Sequence, residues 1–232
     1  MSGRIKLILA TLTVTLALIA TTNGNGSAKG WGSKGQMRNS STQISQLPRQ
    51  DIDPGEQAGL IKMREEEKLA RDVYLSLYDK WHHRIFKKIA ASEQKHMDAV
   101  KLLLDKYGIN DPVTNNDRGK FSNPEVTKLY EDLVDKGSKS LTEALLVGAT
   151  IEDLDIYDLN NLLKQTDNQD IQLVYEGLKR GSENHMRAFS KVLAAQGITY
   201  KAQYLSQEEI NQILEASPGK GKKRGRGRNK NW

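Results

Sequence analysis

Four stretches of this chain repeat apolar residues at steps of three and four, and each breaks its stripe near the middle with ionisable or small polar residues. The first reads Leu60, Met63, Glu67, Ala70, Tyr74, Leu77, Trp81, and the second Phe86, Ile89, Glu93, His96, Val100, Leu103. The third reads Leu141, Leu145, Gly148, Glu152, Asp155, Leu159, Leu162, and the fourth Ile171, Val174, Leu178, Ser182, His185, Phe189, Val192. Such steps keep residues on one face of an α-helix, the face that packs inward. No stretch alternates in the two-residue period of a strand over several repeats. The pattern therefore predicts an all-α domain built on four long helices.

Boundary signals divide these stripes into elements. Asp53-Pro54-Gly55-Glu56 supplies an N-cap, a proline at the first helical position and the acid of a capping box, so the first long helix is expected over 54–80. The second runs over 84–107 and stops at Gly108. The third starts from the capping box Ser140-x-x-Glu143 and runs to about 165. Asp167 is expected to cap the fourth, which continues to 196 before Gly197. The connection over 108–140 is too long for a simple turn, and Ser122-Asn123-Pro124-Glu125 opens a short helix within it that ends at Gly137. A last short helix follows Ser206-x-x-Glu209. Two helical hairpins joined by one long crossover match the ferritin-like connectivity of four-helix bundles rather than the plain up-and-down one.

The interrupted stripes carry the chemistry. An unpaired carboxylate on a buried seam costs several kcal/mol, on the order of a quarter or more of a domain's net stability. Glu67, Glu93, His96, Glu152, Asp155 and His185 bring six oxygen or imidazole donors to the seams of four helices, which points to a metal centre. Glu93-x-x-His96 leaves one helix face and can reach one ion, with Glu67 as a terminal carboxylate. Glu152 and Asp155 repeat that spacing with two carboxylates, and His185 adds a second imidazole. Two ions bridged by Glu93 and Glu152 account for all six groups. Carboxylates with few imidazoles and no thiolate favour iron or manganese, with zinc as a further occupant. Tyr74 reads as core packing, as a hydrogen-bond partner of a ligand carboxylate, or as an electron donor. Glu65 and Glu66 read as solvated face beside Arg64 and Lys68, His82 and His83 as surface residues of a turn, and Arg71 as a counter-charge beside the site or a surface pair.

At these residues the chain resembles known proteins. Glu67, Ala70, Arg71 and Tyr74, followed by Ile89, Ala90, Glu93 and His96, match the Glu-x-x-Ala-Arg-x-x-Tyr and Ile-Ala-x-x-Glu-x-x-His patterns of rubrerythrin and related ferritin-like di-iron proteins. From about 56 to 212 the chain resembles more closely the DUF2202 group, in phrases such as MREEEKLARDVY, HMDAV and YLSQEE. The resemblance implies a ferritin-like fold, two iron ions, and redox chemistry with oxygen or peroxide of the ferroxidase or peroxide-reductase type. In one place the pattern departs: Ser182 stands where the ferritin-like fourth helix has a glutamate, three residues before His185. Glu183 lies about 100° around the helix and is a poor substitute, and Glu176 belongs to another level. The second ion is one carboxylate short unless Asp155 compensates.

Composition narrows the rest. The chain has no cysteine, which excludes disulfides, iron–sulfur clusters, thiol catalysis and a rubredoxin-type iron site. Turnover would then need an external electron donor. The net charge of +6 is unevenly placed: residues 217–232 hold seven basic residues and no acid, while 59–216 is net acidic. Residues 1–28, with Arg4 and Lys6 before an apolar run, read as a secretory signal or an uncleaved N-terminal anchor. Residues 29–52 read as a disordered linker, 53–216 as the helical domain and 217–232 as a disordered basic tail. The expectation is an exported protein, periplasmic, extracellular or at the cell surface. Its tail, over 219–230, would suit anionic surface polymer or membrane headgroups better than nucleic acid, and its helix surfaces a homodimer. The competing expectation is a non-catalytic metal-binding or structural module tethered by that tail.

Overall fold

The computed structural model describes residues 40–216, with side chains from residue 43 onward. Among the described residues there are seven helices and no strand: α1 (Ser40–Gln46), α2 (Pro54–Trp81), α3 (Arg84–Tyr107), α4 (Pro124–Gly137), α5 (Leu141–Leu162), α6 (Gln169–Ala194) and α7 (Gln207–Glu215). The stripes expected to be helical are α2, α3, α5 and α6. Local chemistry sets their ends. Asp53 accepts from the Gly55 and Glu56 amides while Glu56 accepts from the Asp53 amide, a complete capping box. The α2–α3 turn is only two residues long, and His82 turns it in the left-handed region at φ 50. His83 then accepts from the Ile85 amide as the cap of α3. Gly108 ends α3 at φ 70, a conformation glycine adopts without steric cost.

α2 packs most extensively on α3 and α5 on α6, and the two hairpins meet through α3–α6 and α2–α5 contacts. The apolar core falls into two layers. One gathers Val73, Tyr74, Leu77, Phe86, Ile89, Leu145 and Phe189; the other gathers Leu60, Met63, Val100, Leu103, Leu159 and Leu178. The ionisable seam residues of all four helices lie in sequence between these layers. The crossover carries α4, which packs on α2 and α5 through Val126 and Leu133, and Trp81 Nε1 donates to the Gly137 carbonyl.

Three expectations need correction. The cap of α6 is Asn168, not Asp167, and it makes no side-chain cap bond: donation from Nδ2 to the Asp51 carbonyl and Glu56 holds the side chain elsewhere and leaves its Oδ1 unpaired. Part of the stretch read as linker is ordered. Helix α1 buries Ile44 against the second apolar layer, and Lys106 donates to the Ile44 and Leu47 carbonyls. A single buried isoleucine in a polar stretch leaves no periodic signal. Arg64, Glu66 and Lys68 are buried rather than solvated. The crossover covers this side of α2: Arg64 pairs with Asp111, Lys68 with Asp72 and the Asp117 carbonyl, and Arg71 with Asp72, Gln94 and Asn116. Arg71 thus holds the crossover rather than serving a surface pair. The export signal or anchor over 1–28, linker residues 29–39 and the basic tail over 217–232 lie outside the described residues. No helix among the described residues is long and apolar enough to cross a membrane.

Candidate metal centre

Each seam position brings its side chain into the layer between the two apolar clusters. Glu67 comes from α2, Glu93 and His96 from α3, Glu152 and Asp155 from α5, and His185 from α6; all six are buried. Glu93 stands at the middle. Its Oε2 lies 2.7 Å from His96 Nδ1 and its Oε1 lies 2.8 Å from His185 Nδ1. On one side Glu67 Oε2 lies 3.2 Å from His96 Nδ1, and on the other Glu152 Oε2 lies 3.4 Å from His185 Nδ1. Two groups of three result, Glu67–Glu93–His96 and Glu93–Glu152–His185, and within each group one donor atom per residue lies within 4.8 Å of the others. Glu93 belongs to both. The two imidazole rings stack at 5.6 Å between centroids.

His96 Nδ1 and Glu67 Oε2 share a hydrogen bond, but most of the close approaches here are not hydrogen bonds. Both Glu93 oxygens, Glu67 Oε1, Glu152 Oε2 and His185 Nδ1 are buried with no hydrogen-bond partner. Native interiors rarely leave such atoms unmatched, and a concentration of them is what a group of residues able to hold an ion presents. Donor atoms that approach closely without pointing at one another are arranged as ligands of a shared centre would be. The donor set of carboxylates and imidazoles without thiolate suits iron, manganese or zinc, so the residues fit a metal on chemistry as well as position.

Electrostatics of the metal-free cluster agree. Burial pushes Glu93 up, but the charges of His185 and His96 outweigh it and hold this carboxyl far below its usual range. Burial lowers both histidines, yet Glu67 and Glu93 raise His96 well above its ordinary value, and Glu93 with Glu152 raise His185 to about 10. Burial and neighbouring Glu93 push Glu67 up to about 7 against the opposing pull of His96. Glu152 is raised by burial and Glu93, and Asp155 well raised by burial and by Glu67 and Glu152. Without a cation the cluster therefore consists of one firm carboxylate between two imidazoliums, ringed by carboxyls that resist ionisation. A divalent ion would reverse this by displacing protons from both residue types.

Tyr74 donates to Glu152 Oε1 at 2.6 Å and packs on Phe86 and Phe189, so it orients one carboxylate while joining the apolar layer. Ser182 is buried, and its hydroxyl donates to the Leu178 carbonyl in its own helix. Glu176 is mostly exposed and pairs with Arg180, so it does not replace the missing carboxylate. Asp155 is in neither group of three; its Oδ2 is buried beside the cluster without a partner.

Two residues escaped the sequence reading. Gly181 lies directly against His96, and a Cβ there would collide with its Nε2 and Cε1. A glycine inside an otherwise good helix was the available signal. Glu66 is 4% exposed, with burial and the charge of Asp158 pushing it to about 8. It stands one step off the stripe, so a single-face reading assigns it to solvent.

Comparison with known proteins places the site in a family. The family model described as "Uncharacterized protein domain (DUF2202)" matches residues 56–217, a span that contains every residue of the cluster. The chain is 59% identical over 181 residues to "Uncharacterized protein MJ0754" of Methanocaldococcus jannaschii, an alignment covering 78% of this chain and 98% of that one. The crystal structure of hypothetical protein MJ0754 from Methanococcus jannaschii matches with a TM-score of 0.73 at 59% identity, over 74% of this chain and 98% of the other.

Proposed function

The chain belongs to the DUF2202 family, and we propose that it is a ferritin-like protein holding a dinuclear iron site for oxygen- or peroxide-linked redox chemistry. The observation that carries this reading is the position of Glu93, whose two oxygens each lie beside a different histidine. Glu67 and His96 would hold one ion, Glu152 and His185 the other, with Glu93 between them. When bound, a ferrous pair supplies two electrons, one from each iron, which with two protons reduce one hydrogen peroxide to two waters. An external donor must restore the ferrous state, since the chain has no cysteine to hold a second iron centre.

The chain's own residues supply the setting. The two apolar layers exclude bulk water and sharpen every charge between them. The Tyr74 hydroxyl holds Glu152 in one orientation and keeps its proton, because burial and the Glu152 charge raise its pKa well above the ordinary value. Gly181 leaves room for the His96 ring. Ser182 gives the His185 side no extra oxygen, which makes the two positions unequal and favours substrate access there. We extend the reading to an exported protein from the pattern of residues 1–28, with anionic surface polymers or headgroups as contacts of the tail over 219–230.

The experiment is anaerobic reconstitution with ferrous iron, metal analysis, and then addition of peroxide. About two irons per chain and a new near-ultraviolet band, both lost in Glu93→Ala, are expected. A single redox-silent ion would favour the binding-module alternative, for which the missing carboxylate at Ser182 is the specific argument. No bound metal would overturn the reading.

A further inference from the structure

Buried carboxylate oxygens continue beyond the five clustered residues, along the α2–α5 contact and out towards solvent. Asp155, 2% exposed, has an Oδ2 with no hydrogen-bond partner and feels the charges of Glu67, Glu152, Glu66 and Glu93. Next comes Glu66, with both oxygens buried and free of hydrogen bonds. Asp158 follows one turn after Asp155 on α5, and its Oδ2 is also buried without a partner. At the outer end stands Lys62, 36% exposed, whose Nζ lies 2.8 Å from Asp158 Oδ1 and 3.6 Å from Glu66 Oε1.

We propose that Glu66, Asp155 and Asp158 form the path by which a divalent cation enters the centre, with Lys62 as the cationic cover at its mouth; this rests on the dinuclear reading above. Glu66 and Asp158 share the single Lys62 ammonium and Asp155 keeps a bare oxygen, so three buried carboxylates in a row are under-compensated and costly in a metal-free protein unless a cation visits them. All-oxygen donors suit a hard divalent ion, and they pass it on more readily than a mixed carboxylate–imidazole set would. The three do not gather into a group with mutually close donor atoms, so they act as successive holds rather than a resting site. The contact between the two hairpins, to which α2–α5 belongs, is much less extensive than the contact within each hairpin, and the apolar layers close the two ends. Lys62 lowers the field at the mouth until an incoming cation displaces it from Asp158.

The test uses the metal-free full-length chain mixed with Co(II) and followed by stopped-flow absorption. Wild type and Glu66→Gln should reach the same two ions and the same final spectrum. Loading of Glu66→Gln should be slower by on the order of tenfold or more, because an amide cannot give up a proton to the incoming ion and take hold of it as the Glu66 carboxyl can. Lys62→Gln should load several-fold faster. If Glu66→Gln does not fill, Asp158→Asn, farther from the centre, carries the same expectation. Variants at Glu66 and Asp158 that both load within about twofold of wild type would overturn the path and move entry to the His185 edge. A slower Lys62→Gln would overturn the role of cover. Failure of wild type to bind cobalt would instead overturn the dinuclear reading itself.

Discussion

Glu152 and Asp153 are adjacent in sequence, sit on the same helix and are equally buried, yet their surroundings are opposite. Asp153 points towards the C-terminal segment, where its carboxylate accepts from the Tyr200 hydroxyl and from the Gln203, Tyr204 and Leu205 amides. Glu152 points into the seam, where it accepts from Tyr74 alone and leaves Oε2 without a partner. The same contrast recurs on α2. Asp72 accepts from Lys68, Arg71 and the Gly119 amide, while Glu66 and Glu67 keep bare oxygens. The carboxylates of Asp153 and Asp72 are matched by amides, a hydroxyl and cationic side chains, whereas Glu152 and Glu67 each keep an oxygen that no donor among the described residues answers. Burial alone does not separate structural acids from candidate ligands. The number of donors that answer them does.

The largest effect that could break this comparison is metal loading. Divalent iron or cobalt at about a thousand times Kd should stabilise the fold by about 4 kcal/mol, seen as a chelator-reversible rise in Tm. Glu93→Ala should abolish that rise and Asp153→Ala should retain it. An equal response in both variants would erase the distinction.

Asp153→Ala should itself cost about 3 kcal/mol or more, since it strips the partners from three amides and a hydroxyl. Glu152→Gln should cost the metal-free chain little, because it replaces a carboxyl that burial keeps from ionising and retains an acceptor for Tyr74. Denaturant midpoints compare the two directly.

Proton linkage sharpens the contrast further. In the metal-free chain Glu66 and Glu67 are raised from 4.5 to about 8 and about 7, and His185 from 6.5 to about 10. Raised values mean the fold prefers the protonated forms. The glutamate contribution is complete below 4.5 and is lost as pH rises through about 7 and 8; that of His185 is complete below 6.5 and lost through about 10. Glu93, held low, acts oppositely, its contribution present above 4.5 and lost at the acid end. The urea midpoint of the metal-free protein should therefore fall between pH 5 and 9, and Glu66→Gln should flatten part of the slope. A rising midpoint over that window would contradict the assignment. Metal affinity should increase with pH, because binding releases protons.

Smaller effects test the supports. Gly181→Ala should destabilise by about 1–3 kcal/mol by driving a Cβ into His96, and it should weaken metal binding, measured by competition with a chromophoric chelator. Tyr74→Phe should cost about 1 kcal/mol for the lost bond to Glu152, read from the denaturant midpoint.

Much of the helical layout was legible in the chain because its signals are local. Capping boxes at Asp53 and Ser206, glycine at 108 and three-to-four spacing act over a few residues and need no partner. Glu67, Glu93, His96, Glu152, Asp155 and His185 were legible as a set because each interrupts an apolar stripe. Glu66 was not, because its burial depends on α5. Lys68 and Arg71 were misread because the crossover that covers them lies more than forty residues away in sequence. Asn168 lost its capping role to contacts with Asp51 and Glu56, more than a hundred residues distant.

By itself the sequence determined which faces of the four long helices turn inward and which donor types meet there, since periodicity and residue chemistry are properties of the chain. It also excluded thiol chemistry outright. Only the tertiary structure decided that Glu93 is shared by two histidines while Asp155 stands outside both groups. It alone distinguished the answered carboxylate of Asp153 from the unanswered one of Glu152. The physical reason is that helical spacing fixes direction around an axis, whereas distances of a few ångströms between donors depend on how separate helices and loops pack against one another.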